Sequence, residues 1–369
     1  MRSLDARLPA GIARRRASTA TGLDVHYLEA GAGADRPLAL LLHGFPELAF
    51  SWRKVMPTLA EAGFWVVAPD QRGYGATTGA DVSYAAPLEL SATPSLTADA
   101  LALMHALGRG RAELLVGHDF GSVVAAWASV IRPDAFGRVM LMSAPFAGPP
   151  PWGSRVTLHD LDADLARLDR PRRHYQLYFG EARANAEMTR GPGGVSRFLR
   201  AYSHMKSGDW AGNAPHELVE MTAEVMAVLP GYYVMARGAS MPETVLPEEP
   251  AGAPPWLSDE DLAVYAEAYG PDSPTNGFQG GLNWYRAQTD PALMAKLRLW
   301  AGRRIEIPAA FVGGARDWGI HQMPGALGRM AAEACADWRC TTLVEGAGHW
   351  VQQEAPEATA QAILAFARS

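Results

Sequence analysis

The sequence predicts an α/β protein with a mostly parallel central sheet, helices on both of its faces and a helical insertion in mid-chain. Three observations carry this. Short apolar runs alternate with stretches of helical length and period through the first third of the chain. The runs LALLL and WVVA are apolar at every position, as central parallel strands covered on both sides must be. The pattern then stops after Ala144 and returns only at Ile307.

Taken in order, the candidate strands are LDVHYLEA (23–30), LALLLHG (38–44), FWVVAPD (64–70), ELLVGH (113–118) and RVMLMSA (138–144). Helical period marks 96–108 and 122–131. PFAGPPPWG then ends regular structure, because proline lacks the ladder donor and restricts the residue before it. Beyond it, HDLDADLARLD and PHELVEMTAEVMAVL read as helical, and the proline-dense segment 242–256 reads as an extended connector. Ser258 is a helix N-cap, with an acidic first turn opening DLAVYAEAY. IPAAFVGG (307–314) resumes the strands, followed by a helix around 323–334, the strand CTTLVEG (340–346) and a last helix from 356. The expected organisation is an N-terminal extension (1–21), a core made of 22–146 and 296–369, and an inserted helical domain (147–295), too long for a loop. There is no internal repeat.

A chain of 369 residues fits two domains or one domain with an insertion. Its 48% hydrophobic and 20% charged residues exclude global disorder. Lys plus Arg 33 against Asp plus Glu 39 leaves −6, which disfavours a nucleic-acid binder or a membrane-surface protein. No stretch approaches the roughly 18 apolar residues of a membrane span. The charged start, MRSLDARLPAGIARRRAS, leads into no apolar core of a secretory signal, so a cytoplasmic protein is expected. Cys335 and Cys340 cannot build a disulfide framework or, without a second pair, a zinc site, and read as ordinary thiols near a helix end.

Four segments each directly follow a predicted strand: HGFPE (43–47), GHDFGS (117–122), GARDWG (314–319) and GAGHW (346–350). In open α/β sheets, sites form at the carboxyl ends of strands, so these loops should converge on one edge. GHDFG has the form of a nucleophile elbow, a sharp strand-to-helix turn whose flanking glycines permit a crowded backbone, and it places Asp119 where a nucleophile stands. Asp119, Asp317 and His349 also follow the order nucleophile, acid, histidine. Singly, each has a plainer reading: helix N-cap, turn residue and satisfied core histidine. Ser122 lies one helical turn past the elbow and reads as a small packing residue.

On these motifs the sequence resembles the α/β-hydrolase superfamily and, within it, the epoxide hydrolases with an aspartate nucleophile. The core resemblance covers 22–146 and 296–369 and includes SWR (51–53) and APDQRGYG (68–75). In the insertion, HYQLYF (174–179), GFQGGLNWYR (277–286) and PPWLSDEDLAVYAEAYG are similar to the lid of that family. The resemblance implies Tyr175 and Tyr285 as ring-opening tyrosines, and the backbone N–H groups of Phe45 and Phe120 as an oxyanion hole. Taken alone, either tyrosine is equally a packing residue. Phe120 stands where tryptophan is commoner in the family and Ser122 where glycine is, and neither side-chain change touches the mechanism.

The implied reaction converts an apolar epoxide and water to a vicinal diol. A carboxylate attacks carbon to give an ester, and a histidine oriented by an acid then activates water against that ester. Phenols, with pKa near 10, remain protonated at neutral pH and donate to the opening oxygen. No metal or organic cofactor is implied. His43 and His118 read as hydrogen-bonding neighbours, and Pro46 as the site of a cis peptide that shapes its loop. Trp52, Trp152, Trp318 and Trp350, with Trp284, are candidates for lining an apolar pocket, against ordinary core packing.

Three other activities compete. A haloalkane or haloacid dehalogenase shares the nucleophile, but halide binding calls for N–H side-chain donors where Phe45 and Phe120 stand, and a fluoroacetate-type site for arginines where Ser122 and Val123 stand. A serine esterase is excluded by the aspartate at 119. A catalytically silent binding module is disfavoured because every triad and tyrosine position is filled, although fold alone does not settle function.

Overall fold

The computed structural model describes residue 4, residues 7–153 and residues 157–369; parts of the expected N-terminal extension (1–3, 5 and 6) and three insertion residues (154–156) lie outside them. The first half supplies six strands, β1 (Ile12–Ser18), β2 (Asp24–Ala30), β3 (Leu38–Leu42), β4 (Trp65–Pro69), β5 (Leu114–His118) and β6 (Val139–Met142). Three helices interleave with them, a short one at Met56–Glu61 and the longer α1 (Thr93–Ala106) and α2 (Phe120–Ile131). Between β6 and the next sheet strand come α3 (Leu158–Leu165), a ribbon of β7 (Arg172–His174) with β8 (Val234–Ala236), and the helices α4 (Tyr175–Phe179), α5 (Gly194–Lys206), α6 (Met241–Val245), α7 (Asp259–Ala268) and α8 (Gln279–Thr289). The chain then completes the sheet with β9 (Ile305–Gly314) and β10 (Cys335–Val344) and closes on α9 (Pro356–Arg368).

The sheet order is β1-β2-β4-β3-β5-β6-β9-β10, antiparallel at β1–β2 and β2–β4 and parallel elsewhere. Leu42 pairs with Gly117, His118 with Met142 and Met142 with Val312, so β3, β5, β6 and β9 end in step along one edge. Of the two runs that read as doubly covered, Leu38–Leu42 is buried throughout and WVVA is buried except for the half-buried Trp65; Leu114–His118 is buried throughout as well. Each buried Leu or Val contributes about 1.5–3 kcal/mol. These strands and helices fall within a few residues of the expected spans.

Several elements differ from expectation. IARRRAS forms β1, an edge strand, although its arginine run hides any alternation; Arg15 pairs with Glu29 at 2.8 Å and Arg16 with Asp24 at 2.7 Å. Charge on an edge strand also discourages pairing with a second chain. The proline-dense segment is not extended throughout: Ser240 caps α6 in a reciprocal box with Glu243, Pro242 occupies the first turn, and a 3₁₀ turn follows at Leu246–Glu248. Proline suits a first helical turn because its missing N–H has no partner there anyway. Of 215–229, only Ala223–Met226 is helical. Cys335 and Cys340 both lie in β10, which starts five residues before the expected strand, and burial pushes the Cys335 thiol up to about 12.

The Ser258 cap holds as expected, its hydroxyl accepting from the Asp261 N–H. Asp261 then meets Arg53 of the core at 2.7 Å in a pair buried on both sides. Among the described residues, no helix is long and apolar enough to cross a membrane.

Candidate active site

Asp119 stands in the turn from β5 to α2 with φ 52° and ψ −119°, a region that residues with side chains rarely occupy and that tends to mark functional turns. The turn is tight. A Cβ on Gly117 would lie 2.1 Å from the Gly121 carbonyl oxygen, and one on Gly121 would lie 2.3 Å from that of Leu42. Glycine at both positions lets the helix start press against the ends of β5 and β3.

The loop after β3 brings the Phe45 N–H to Oδ1 of Asp119 at 2.9 Å, and the Phe45–Pro46 peptide is cis as expected. The Phe120 N–H, the other expected donor, makes no hydrogen bond to the carboxylate among the described residues. His349, after β10, places Nε2 3.2 Å from Oδ2 of Asp119, off the line of a hydrogen bond. Its Nδ1 lies 3.1 Å from both oxygens of Asp317, in the loop after β9, which also accepts from the Gly319 N–H at 2.6 Å. The three predicted triad residues thus meet at one sheet edge.

Burial alone would raise the Asp119 carboxyl, but the contact with His349 and the positive charge of Lys206 hold it far below the usual carboxylate range. Asp317 is likewise lowered against its burial by His349 and Lys206. For His349, burial and Lys206 press downward, and Asp317 and Asp119 overcome them, leaving the imidazole above its ordinary value. Asp119 is therefore an anion at neutral pH, and Asp317 fixes the ring so that Nε2 faces it.

Tyr175 opens α4 and Tyr285 lies within α8, with ring centroids 5.9 Å apart. Tyr285 packs edge-on against Phe45 and Phe120, at 5.3 and 5.2 Å. The Tyr175 hydroxyl donates to Gln322 Oε1 at 3.4 Å and accepts from Gln176 Nε2 at 3.2 Å. Burial, with the Asp119 charge next in effect, pushes both phenols well above their ordinary value. Both stay protonated and face the same carboxylate field.

Residues outside the motif reading hold these loops. Glu47 accepts from His118 Nδ1 at 2.6 Å and from the side chains of Gln352 and Gln353 at 2.9 and 3.0 Å. The other His118 nitrogen meets the His349 carbonyl at 2.7 Å, tying the elbow strand to the histidine loop. Glu354 accepts from the N–H groups of Gly208, Gly348 and Trp350 at 2.8, 2.9 and 2.9 Å. The segment 206–213 of the insertion binds both triad loops: the His349 N–H donates to the Lys206 carbonyl at 2.9 Å, and Arg316, beside Asp317, donates to the carbonyls of Asn213 and Trp210 at 3.1 and 3.2 Å. Glu47 stood within a quoted motif without being singled out. Lys206 and Arg316 carry no local signal, because their partners are distant in sequence; Glu354 has two near partners, Gly348 and Trp350, but no motif marks it.

His43 and His118 are hydrogen-bonding neighbours, as expected; His43 Nε2 accepts from the Gln71 N–H, so its Nδ1–H donates to the Gly44 carbonyl. Ser122 is buried and donates to the Ala144 carbonyl at 2.8 Å. Trp350 packs on His349 at 4.8 Å and donates to the Ser203 carbonyl at 2.8 Å. Trp318 is buried beside Asp317, Trp52 is buried in a 3₁₀ turn, and Trp284 packs on Phe120 at 5.2 Å. Trp152 is the exception. At 76% exposure it walls no buried pocket, because the proline run carries it out to the surface. Among the described residues, no three His, Cys, Asp or Glu side chains cluster so as to hold a metal ion.

The family described as alpha/beta hydrolase fold matches residues 37–356, and the chain belongs to it. The chain is 34% identical to epoxide hydrolase A of Mycobacterium tuberculosis over 94% of each protein, and 32% identical to epoxide hydrolase B of the same organism over 89% of this chain and 91% of that one. Among solved structures it superposes on an epoxide hydrolase from an endophytic Streptomyces with a TM-score of 0.79, at 31% identity over 97% of this chain and 96% of that one. Potato epoxide hydrolase I gives a TM-score of 0.75 at 28% identity, over 97% and 99%. The chain is a member of the epoxide hydrolase family, hydrolases that act on ether bonds.

Proposed function

We propose that the protein opens an apolar epoxide to a vicinal diol through an ester on Asp119, with the insertion serving as a lid that carries the acid groups. The observation that carries this reading is the division of labour on one carboxylate. Oδ1 is held by the Phe45 N–H, while Oδ2 faces the site beside His349. Oδ2 attacks an epoxide carbon as the carbon–oxygen bond of the ring breaks. The released oxygen takes its proton from Tyr175 or Tyr285, whose raised pKa keeps them protonated until that moment.

In the second half, His349 removes a proton from water through Nε2, and the hydroxide adds to the carbonyl carbon of the ester. The oxyanion forms on Oδ1, where the Phe45 N–H already points, with the Phe120 N–H as the second donor once charge develops there. Collapse breaks the bond between Cγ and Oδ2 of Asp119, so that Oδ2 leaves with the alkyl fragment as an alkoxide, which takes the proton from His349. Asp119 is left as the carboxylic acid and gives up its proton while the tyrosinate regains one, so the enzyme is restored and the sum is epoxide plus water to diol. The apolar rings of Phe45, Phe120, Phe179 and Trp284 around Tyr285 and Phe120 suit an uncharged substrate.

A single turnover in ¹⁸O-water tests the route. In this reading the diol receives an Asp119 oxygen and the label enters the Asp119 carboxylate, detected by mass spectrometry of its peptide. Label found only in the diol overturns it.

A further inference from the structure

Lys206 ends α5 with its side chain buried to 2% exposure, and the reaction as described makes no use of it. Its ammonium sits among four aromatic rings, 5.0 Å from Tyr233, 5.3 Å from Trp350, 5.4 Å from Tyr202 and 6.0 Å from Tyr232. Such faces stabilise a cation electrostatically. Among the described residues no carboxylate comes within the 4.0 Å of an ion pair, and burial, only partly offset by the more distant charges of Asp119, Asp317 and Glu47, holds its pKa below the ordinary lysine value. The same residue is joined to the catalytic loop, since a carbonyl in the last turn of a helix has no partner within the helix and that of Lys206 takes the His349 N–H at 2.9 Å.

We propose that Lys206 is a positioning residue whose charge returns His349 to its base form once Asp119 has become an ester. The inference rests on the Asp119 reading above. The ionisable groups facing His349 are Asp119 from the elbow, Asp317 after β9, His118 at the end of β5 and Lys206 from the insertion. Those facing Lys206 are Asp119, Asp317 and Glu47, with the phenols of Tyr202, Tyr232 and Tyr233. In the free enzyme two carboxylates favour the imidazolium and Lys206 opposes them. Esterification removes the Asp119 charge and leaves Asp317 against Lys206. The imidazolium then gives its proton to solvent, and the neutral Nε2 is ready for water. A carboxylate nucleophile thus holds its own base in the wrong protonation state, and the buried cation corrects this only after the first step.

The test uses Asp119→Asn, which carries the uncharged state of the ester, and follows the His349 ring by NMR titration. Adding Lys206→Met should raise the His349 pKa by about one pH unit, and Lys206→Arg should leave it in place. In the otherwise native enzyme, Lys206→Met should accumulate the alkyl-enzyme below neutral pH, several-fold more than the parent. A titration that does not move, or moves down, overturns the proposal. Should Lys206→Met fail to fold, Lys206→Gln takes its place; if neither folds, the residue is structural and the proposal fails. The labelled-water experiment is independent: label in Asp119 with an unmoved titration sinks only the role of Lys206, whereas label confined to the diol sinks the reading beneath it.

Discussion

Nδ1 of His349 lies 3.1 Å from each oxygen of Asp317, so one carboxylate straddles the imidazole N–H symmetrically. This contact fixes the tautomer and supplies the charge that most favours the imidazolium. Asp317→Asn keeps the shape and loses both effects. It should lower the hydrolysis step by roughly 10²–10⁴-fold while ring opening continues, so the Asp119 ester accumulates and is seen as a mass adduct on the intact protein. A variant that turns over at the parental rate would remove Asp317 from the mechanism.

Tyr175 and Tyr285 approach the same space from two helices and remain protonated. Either Tyr→Phe change alone should slow ester formation by about 10²-fold, the usual loss for one donor to a developing oxyanion. The double variant should form no ester in a rapid-quench experiment. Phenylalanine preserves the ring packing, so thermal unfolding should hardly change.

The pH dependence has a definite sign. In the proposed route His349 must be neutral to accept a proton from water, so hydrolysis should rise as pH passes upward through its pKa. In the free enzyme that pKa lies above the ordinary value of about 6.5. Esterification of Asp119 withdraws one of the charges that raise it. The acid limb of kcat, where hydrolysis limits turnover, should therefore fall at lower pH than the free-enzyme titration of His349. Stability runs in its own direction: the lowered Asp119 and Asp317 contribute above the unfolded carboxylate range and lose that contribution as pH falls through their native values.

Glu354 gathers three backbone N–H groups from both sides of the seam between core and insertion, and burial still pushes its carboxyl up to about 7. Glu354→Gln replaces one acceptor oxygen by an amide NH₂ and leaves a buried donor unmet. Urea unfolding should show a loss of about 1–3 kcal/mol, with kcat falling because Gly348 and Trp350 flank His349. Unchanged stability would mean that solvent satisfies the freed N–H.

Trp152 offers a contrast among the tryptophans. Because it is exposed, Trp152→Ala should shift stability by less than about 0.5 kcal/mol and leave KM for an aryl epoxide unchanged. Trp350→Ala, which removes the ring packed on His349, should depress kcat. Equal effects from the two would contradict their placement.

Asp119 and Asp317 were legible as candidates because each sits in a glycine-flanked loop soon after an apolar strand written in consecutive residues, whereas His349, which follows the largely exposed β10, was legible from its GAGHW motif and the order of the three. Phe45 was named only through the family resemblance. β1 was not legible, since an edge strand built on Arg14, Arg15 and Arg16 shows neither a buried face nor alternation. The segment around Pro242 misled because proline that breaks an extended or helical interior is welcome in a first turn. Lys206 and Glu354 were invisible for a different reason. Lys206 meets His349 across 143 residues, and Glu354 joins its near neighbours Gly348 and Trp350 to Gly208 across 146, and nothing in the neighbouring sequence announces the distant partner. Trp152 shows the converse, a residue that composition places among pocket candidates and the local proline run turns outward.

The seam between residues 203–213 and the two triad loops is closed by the bonds from His349, Trp350, Gly208 and Arg316. Exchanging the insertion for that of a relative would therefore replace carbonyls on which the acid and base loops rest. A chimaera built to transfer substrate preference would carry altered chemistry with it, and its kinetics would report loop placement as well as pocket shape. Grafts that stop short of Ser203 or resume beyond Asn213 keep the native supports, and these are the boundaries at which preference can be moved by itself.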